Sequence, residues 1–190
     1  MFYRFARRLV KVIASILYRF EVSGVEHIPL RGAVIICSNH IHALDCLLLA
    51  IFCRRQIFFI GKKELFKGRF TGALLRKLGA YPVDRSATDM KAYRYTIELL
   101  KEDKALGIFS QGTRMQDFEN AKNGVSVFAL KTGAPIVPAG IKGTYRPFSK
   151  MHLQFGSPIS MEPYQGRKVK SDVVEEVMTL IVEKVSELYK

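Results

Sequence analysis

A chain of 190 residues, 48% of them hydrophobic, is long enough for one domain with a sizeable core, with or without an appendage. Thirty Lys and Arg against seventeen Asp and Glu give a net charge of +13, beyond what solubility requires, so the expected partners are anionic. Cys37, Cys46 and Cys53 are odd in number, lack metal-ligand spacing and sit in apolar runs, which favours reduced core thiols in a cytosolic compartment over a disulfide framework.

Residues 1–20 carry early cations among many apolar residues, but the longest uncharged run, residues 12–18, is far short of the ~20 residues a membrane span needs. No small-residue cleavage site follows. At 100° per residue Arg4, Arg7, Arg8, Lys11, Ser15 and Arg19 fall within an arc of about 120°, with Phe, Leu, Val, Ile, Ala and Tyr opposite. Five cations and no anion before Glu21 suit a helix lying in a lipid headgroup plane; an amphipathic helix docked on its own domain has the same pattern. The expected division is a basic amphipathic membrane-docking helix over residues 1–22 and an α/β domain over 23–190.

Gly24, Pro29 and Gly32 make residues 21–31 a connector with at most one short strand. Residues 34–49, VIICSNHIHALDCLLL, then place Asn39, His40, His42 and Asp45 between a buried strand and the start of a helix. On one regular helix His40 and Asp45 would be about 140° out of register and ~7.5 Å apart along the axis, so a working pair needs His40 on the joint and Asp45 in the first helical turns. The carboxylate then accepts from one imidazole nitrogen and leaves the other as a base. An N-cap with two solvated histidines is the competing reading.

QIFFI is the next strand candidate, within a basic stretch: residues 54–91 hold ten Lys and Arg against Glu64, Asp84 and Asp89. Residues 61–80 mix Phe66, Phe70, Leu74, Leu75 and Leu78 with cations, as either a lipid-contacting element or a solvated helix face over a core. GAYPVDRS ends a short extended run in Asp84 and Arg85, whose planar guanidinium suits a phosphate or carboxylate. Residues 88–101 read as a helix with Tyr93, Ile97 and Leu100 inward, and ALGIF, residues 105–109, as a buried strand.

Directly after it stands SQGTRM. Gly112 permits close backbone approach, Thr113 offers a hydroxyl and an N–H, and Arg114 adds charge, which makes either an anion cradle or a plain turn. Residues 123–131 suggest a helix with Val127 and Leu130 inward. APIVPAGIKG is a strand that Pro138 bulges or ends, MHLQFGSPI is another, and residues 171–189 form a closing amphipathic helix with Asp172, Glu175 and Glu176 near its start. Helical patterns alternating with β-branched runs predict a single α/β domain with a mixed, mostly parallel sheet flanked by helices.

Three polar blocks, NHIHALD, DRS and SQGTR, each follow a buried strand, the position where sites assemble in open α/β sheets. With them the sequence resembles the glycerolipid acyltransferase family, most closely the 1-acyl-glycerol-3-phosphate (lysophosphatidic acid) acyltransferases. NHIHALD matches that family's NH-x4-D block, GAYPVDR its glycine-to-arginine block, FSQGTR its FPEGTR block and IVPAGI its apolar-proline block. Ser110 and Gln111 replace the usual Pro-Glu.

The resemblance implies His40 as general base and Asp45 as its orienting partner, with Arg85, Gly112, Thr113 and Arg114 binding the substrate phosphate and Asn39 and Gln111 in support. N–H groups at the start of the following helix are candidates for the oxyanion. It implies a lysophospholipid acceptor, acyl-CoA or acyl carrier protein as donor substrate, no cofactor, and a peripheral or monotopic position on the cytoplasmic face of an anionic membrane. No metal is expected, although His40 and His42, alternate residues of an extended chain, together with Asp45 are the candidate ligand set. No nucleic acid is expected, because the aromatics fall mainly in apolar runs and not along an exposed basic stripe.

Overall fold

In a computed structural model that describes residues 1–84, 89–109 and 124–190, the strands are β1 (Arg19–Ser23), β2 (Val34–Ser38), β3 (Ile57–Lys62), β4 (Ala80–Val83), β5 (Ala105–Phe109), β6 (Ile136–Gly143) and β7 (Lys150–Phe155). They form one sheet in the order β1-β7-β6-β2-β5-β3-β4. Every neighbouring pair is parallel except β6 and β7. The described helices are α1 (Phe2–Leu17), α2 (Asp45–Phe52), α3 (Arg69–Lys77), α4 (Met90–Lys101), α5 (Gly124–Thr132) and α6 (Ser171–Glu187). The mixed, mostly parallel α/β sheet expected from the pattern is the observed one.

Strand β2 lies between β6 and β5 and is buried throughout, which is why it reads as a continuous apolar run. Its residues alternate between two cores. Val34 and Ile36 face a layer built with Leu48, Leu49 and Ile51 of α2, while Ile35 and Cys37 face one built from α4, α5 and α6. Strand β7 instead alternates exposed and buried residues, since only one of its faces is covered.

Several local expectations shift. Pro138 neither bulges nor ends β6: its carbonyl accepts from the Gly156 N–H at 2.8 Å, so its missing N–H falls on the β7 side, where that ladder begins. In α5 the residues turned fully inward are Val125, Ser126, Phe128 and Ala129, with Val127 and Leu130 half-buried. A short helix that is apolar on nearly every side has little period to read. Helix α1 stops at Leu17, and from Arg19 the chain already runs in the edge strand. Among the described residues no helix is long and apolar enough to cross a membrane.

Helix α1 has three faces. Tyr3, Ala6, Arg7, Val10 and Ala14 are half-buried, Val10 and Ala14 against the domain core. Arg4, Arg8 and Lys11 are exposed on one side of this docked face. On the other side Phe2, Phe5, Leu9, Val12, Ile13 and Ile16 are exposed, Phe5 at 65% and Ile16 at 67%. Lys77 of α3 stands over the Phe2 ring at 5.7 Å, so α3, with Phe70 88% exposed, borders the same region.

Helix α4 is started by Asp89, whose carboxylate accepts from the N–H groups of Lys91 at 3.1 Å and Ala92 at 3.0 Å and, outside the helix, from Asp84 at 3.0 Å. The Asp84 N–H, then that of Ala92, hold this carboxyl below its ordinary value. Asp89→Ala is expected to lower the unfolding free energy by about 1 kcal/mol at neutral pH in urea titrations. Because the folded-state value is depressed, the cap's contribution is complete above the unfolded value and is lost as pH falls through the folded one. Variant and parent should therefore converge in stability as pH falls below the ordinary carboxylate range.

Candidate active site

Five parallel strands, β6, β2, β5, β3 and β4, point their carboxyl ends to one edge, and the joint after β2 stands near the middle of it. Asn39 anchors the joint. Its amide donates to the Ile141 carbonyl at 2.8 Å and accepts from the Ile141 N–H at 2.7 Å, extending the β2–β6 ladder with a side chain. His40 follows in the loop, and Asp45 is the first residue of α2. The imidazole Nδ1 is 2.8 Å from Asp45 Oδ2.

That carboxylate is fully buried, and the His40 side chain is 32% exposed. Oδ2 also accepts from the N–H groups of Ile41 at 2.7 Å and His42 at 2.8 Å, and Oδ1 accepts from the Tyr145 hydroxyl at 2.6 Å. Asp45 therefore does not cap its own helix; it folds back and ties the preceding loop. As an acceptor it fixes the proton on Nδ1 of a neutral His40, leaving the Nε2 lone pair to take a proton.

The imidazole also has a backing. It stacks on Phe109, the last residue of β5, with centroids 4.2 Å apart, and Phe109 in turn lies parallel to Phe59 of β3 at 6.3 Å. Gly107 makes this layer possible: a Cβ there would come within 2.2 Å of the Phe59 ring. His42 is turned elsewhere. Its ring stacks on Tyr145 at 4.5 Å, and its Nδ1 accepts from the Leu44 N–H at 3.2 Å.

Among the described residues no group of three His, Cys, Asp or Glu is arranged to hold a metal. Of the N–H groups at the start of α2, the candidates for an oxyanion, that of Asp45 is taken up by the His42 carbonyl, and in the preceding joint those of Ile41, His42 and Leu44 are taken up as well. Cys46 follows Asp45, and burial first, then the Asp45 charge, pushes its thiol up to about 11.

A buried carboxylate orienting a half-exposed imidazole at the carboxyl edge of a parallel sheet is a general-base arrangement. The family model described as Acyltransferase matches residues 19–142, from β1 to the end of β6. The chain belongs to the acyltransferase family. It is similar to the 1-acyl-sn-glycerol-3-phosphate acyltransferase of Bacillus subtilis, 33% identical over 166 residues, covering 83% of this chain and 82% of that one. It is 28% identical over 190 residues to the enzyme of that name from Streptococcus pneumoniae, covering 95% of this chain and 70% of the other. The crystal structure of the 1-acyl-sn-glycerophosphate acyltransferase from Thermotoga maritima superposes with a TM-score of 0.70 at 26% identity, covering 99% of this chain and 81% of that one.

In this acyltransferase the sheet brings together His40, Asp45 and Asn39. Arg85, Gln111, Gly112, Thr113 and Arg114 lie outside the described residues. The described strands that precede them in sequence end at this edge: β5, which ends at Phe109, is beside β2, and β4, which ends at Val83, is three strands from β2, about 14 Å at ordinary strand spacing. Two residues of this arrangement carry no local signal of it in the sequence: Phe109 closes an apolar strand run and opens the FSQGTR block, and Tyr145 sits in a loop a hundred residues from Asp45.

The raised thiol makes a prediction about reactivity. Because the thiolate is the reacting form, iodoacetamide should label Cys46 of the native chain slowly near neutral pH, with a rate that keeps rising towards pH 11; peptide mass spectrometry would follow it. A plateau near pH 8 would contradict the buried, anion-flanked setting.

Proposed function

We propose that the chain transfers a fatty acyl group from acyl-CoA or acyl carrier protein to the free hydroxyl of 1-acyl-glycerol 3-phosphate, forming phosphatidic acid for phospholipid biosynthesis. The observation that carries this reading is the His40–Asp45 pair at 2.8 Å, in a chain similar to enzymes named for that reaction.

His40 Nε2 takes the proton of the acceptor hydroxyl as its oxygen attacks the thioester carbonyl, and Asp45 stabilises the imidazolium. The tetrahedral intermediate then expels the thiolate, which recovers the proton from His40. Attack is direct. The raised Cys46 thiol is a poor nucleophile, which supports a route without an acyl-enzyme. No cofactor or metal takes part. Arg85, Arg114, Gly112 and Thr113 bind the acceptor phosphate, and Gln111 contributes hydrogen bonds where relatives carry a carboxylate.

Acceptor and product are membrane lipids, so the protein reaches them by docking. The exposed apolar face of α1, flanked by Arg4, Arg8 and Lys11, is the chemistry of a helix seated at an anionic surface, and it supports a peripheral position on the cytoplasmic face. Another lysophospholipid or glycerol 3-phosphate is the alternative acceptor, and a non-catalytic lipid-binding role is the alternative without chemistry.

Purified protein incubated with a panel of lysophospholipids and both thioester donors should yield phosphatidic acid by mass. His40→Ala and Asp45→Asn should each lower turnover by about 100-fold or more; near-normal transfer by either variant would end the mechanism. Removing residues 1–17 should abolish sedimentation with anionic vesicles, and a truncated, folded protein that still sediments would count against docking through α1.

A further inference from the structure

We propose that Tyr145 is a positioning residue of the acyl transfer, its hydroxyl pinning the Asp45 carboxylate in the orientation that aims the His40 imidazole. The inference rests on the acyl-transfer reading, with His40 as base, and extends the dyad to a third group.

The geometry is specific. Oδ2 of Asp45 carries His40 Nδ1 and two backbone N–H groups, whereas Oδ1 receives the Tyr145 hydroxyl at 2.6 Å. Without Tyr145 that oxygen of a fully buried carboxylate would lose this donor, leaving the group fixed chiefly from its joint side. The short distance fits a hydroxyl donating to an ionised acceptor. Burial first, then the bond to Asp45, holds the phenol far above its ordinary range, so it stays a donor through neutral and mildly alkaline pH.

The hydroxyl's aim is set by packing on two sides. The Tyr145 ring stacks on His42 at 4.5 Å and meets the Tyr18 ring edge-on at 5.8 Å. Its loop is tied to the end of α1, where Phe148 N–H donates to the Leu17 carbonyl at 2.5 Å and Arg19 N–H to the Ser149 carbonyl at 2.9 Å. Tyr145 is thereby held by the joint and by the segment leading out of α1, and its oxygen is brought to Asp45 from the opposite half of the chain.

Tyr145→Phe separates positioning from packing, because the ring contacts persist and only the donor is lost. A hydrogen bond to a charged group favours its charged form, so losing it raises the proton affinity of the Asp45–His40 pair. The acid limb of the rate profile should move to higher pH. Among the described residues the titratable groups around the pair are His42 in the joint, Cys46 on α2, Tyr145 itself and Tyr18 at the end of α1.

The experiment uses the full chain with 1-acyl-glycerol 3-phosphate in anionic vesicles, and 15N-histidine resonances of the same samples. Tyr145→Phe is expected to lower kcat by about tenfold with KM within about twofold, and to raise both the acid limb and the His40 titration midpoint by about half a unit. Unchanged kcat with an unchanged His40 midpoint overturns the proposal. So does a fall in kcat without a shift in the midpoint, which marks Tyr145 as merely structural. If the parent protein fails to acylate the lipid, or His40→Ala remains active, the functional reading is what has failed; the His40 midpoint in Tyr145→Phe still decides whether the hydroxyl holds the pair.

Discussion

A carboxylate removed from water must be answered by hydrogen bonds, or its burial costs several kcal/mol. Asp45 is such a group, and the structure around it is arranged as the answer: two N–H groups of its own loop, the imidazole of His40 and the hydroxyl of Tyr145. Each bond also constrains its donor. Burial of one side chain thus fixes the loop path, the proton position on the imidazole and the seat of a distant tyrosine.

The sheet supplies the rigidity that this local network needs. Asn39 fastens the loop to β6 through both of its amide atoms. From the other side Gly107, lacking a side chain, admits the Phe59 ring, which lies parallel to Phe109, which stacks on His40. Three adjacent strands, β2, β5 and β3, therefore hold the imidazole in plane. An imidazole held this way has little freedom left to lose, the condition under which orientation contributes most to the rate of a general-base step.

The apolar face that α1 leaves exposed and the hydrogen-bond network of Asp45 come close at the end of that helix. Part of that helix's apolar surface is spent on the domain, and part is left to solvent, so one element both closes a core and presents an apolar strip beside cations. Tyr18, directly after the helix, touches Tyr145. The segment proposed to meet lipid is thus joined, by this aromatic contact and by the Phe148 N–H donating to the Leu17 carbonyl, to the loop whose Tyr145 is bonded to Asp45.

By itself the sequence determined the elements whose burial is local and periodic: the central strands as unbroken apolar runs, α1 as a helix with a basic stripe, and a joint in which spacing alone required His40 to leave the helix for Asp45 to reach it. It blurred where that periodicity fails, as in α5, apolar on nearly every side, and at Pro138, whose tolerance depends on which neighbour its missing N–H faces. Only the tertiary structure decided that β7 turns antiparallel, that α1 divides its apolar face between core and solvent, and that Phe109, Ile141 and Tyr145 complete the site. Those contacts join residues about seventy to a hundred positions apart. Strand order and packing create them, and a local pattern of residue types carries no record of which strand becomes whose neighbour.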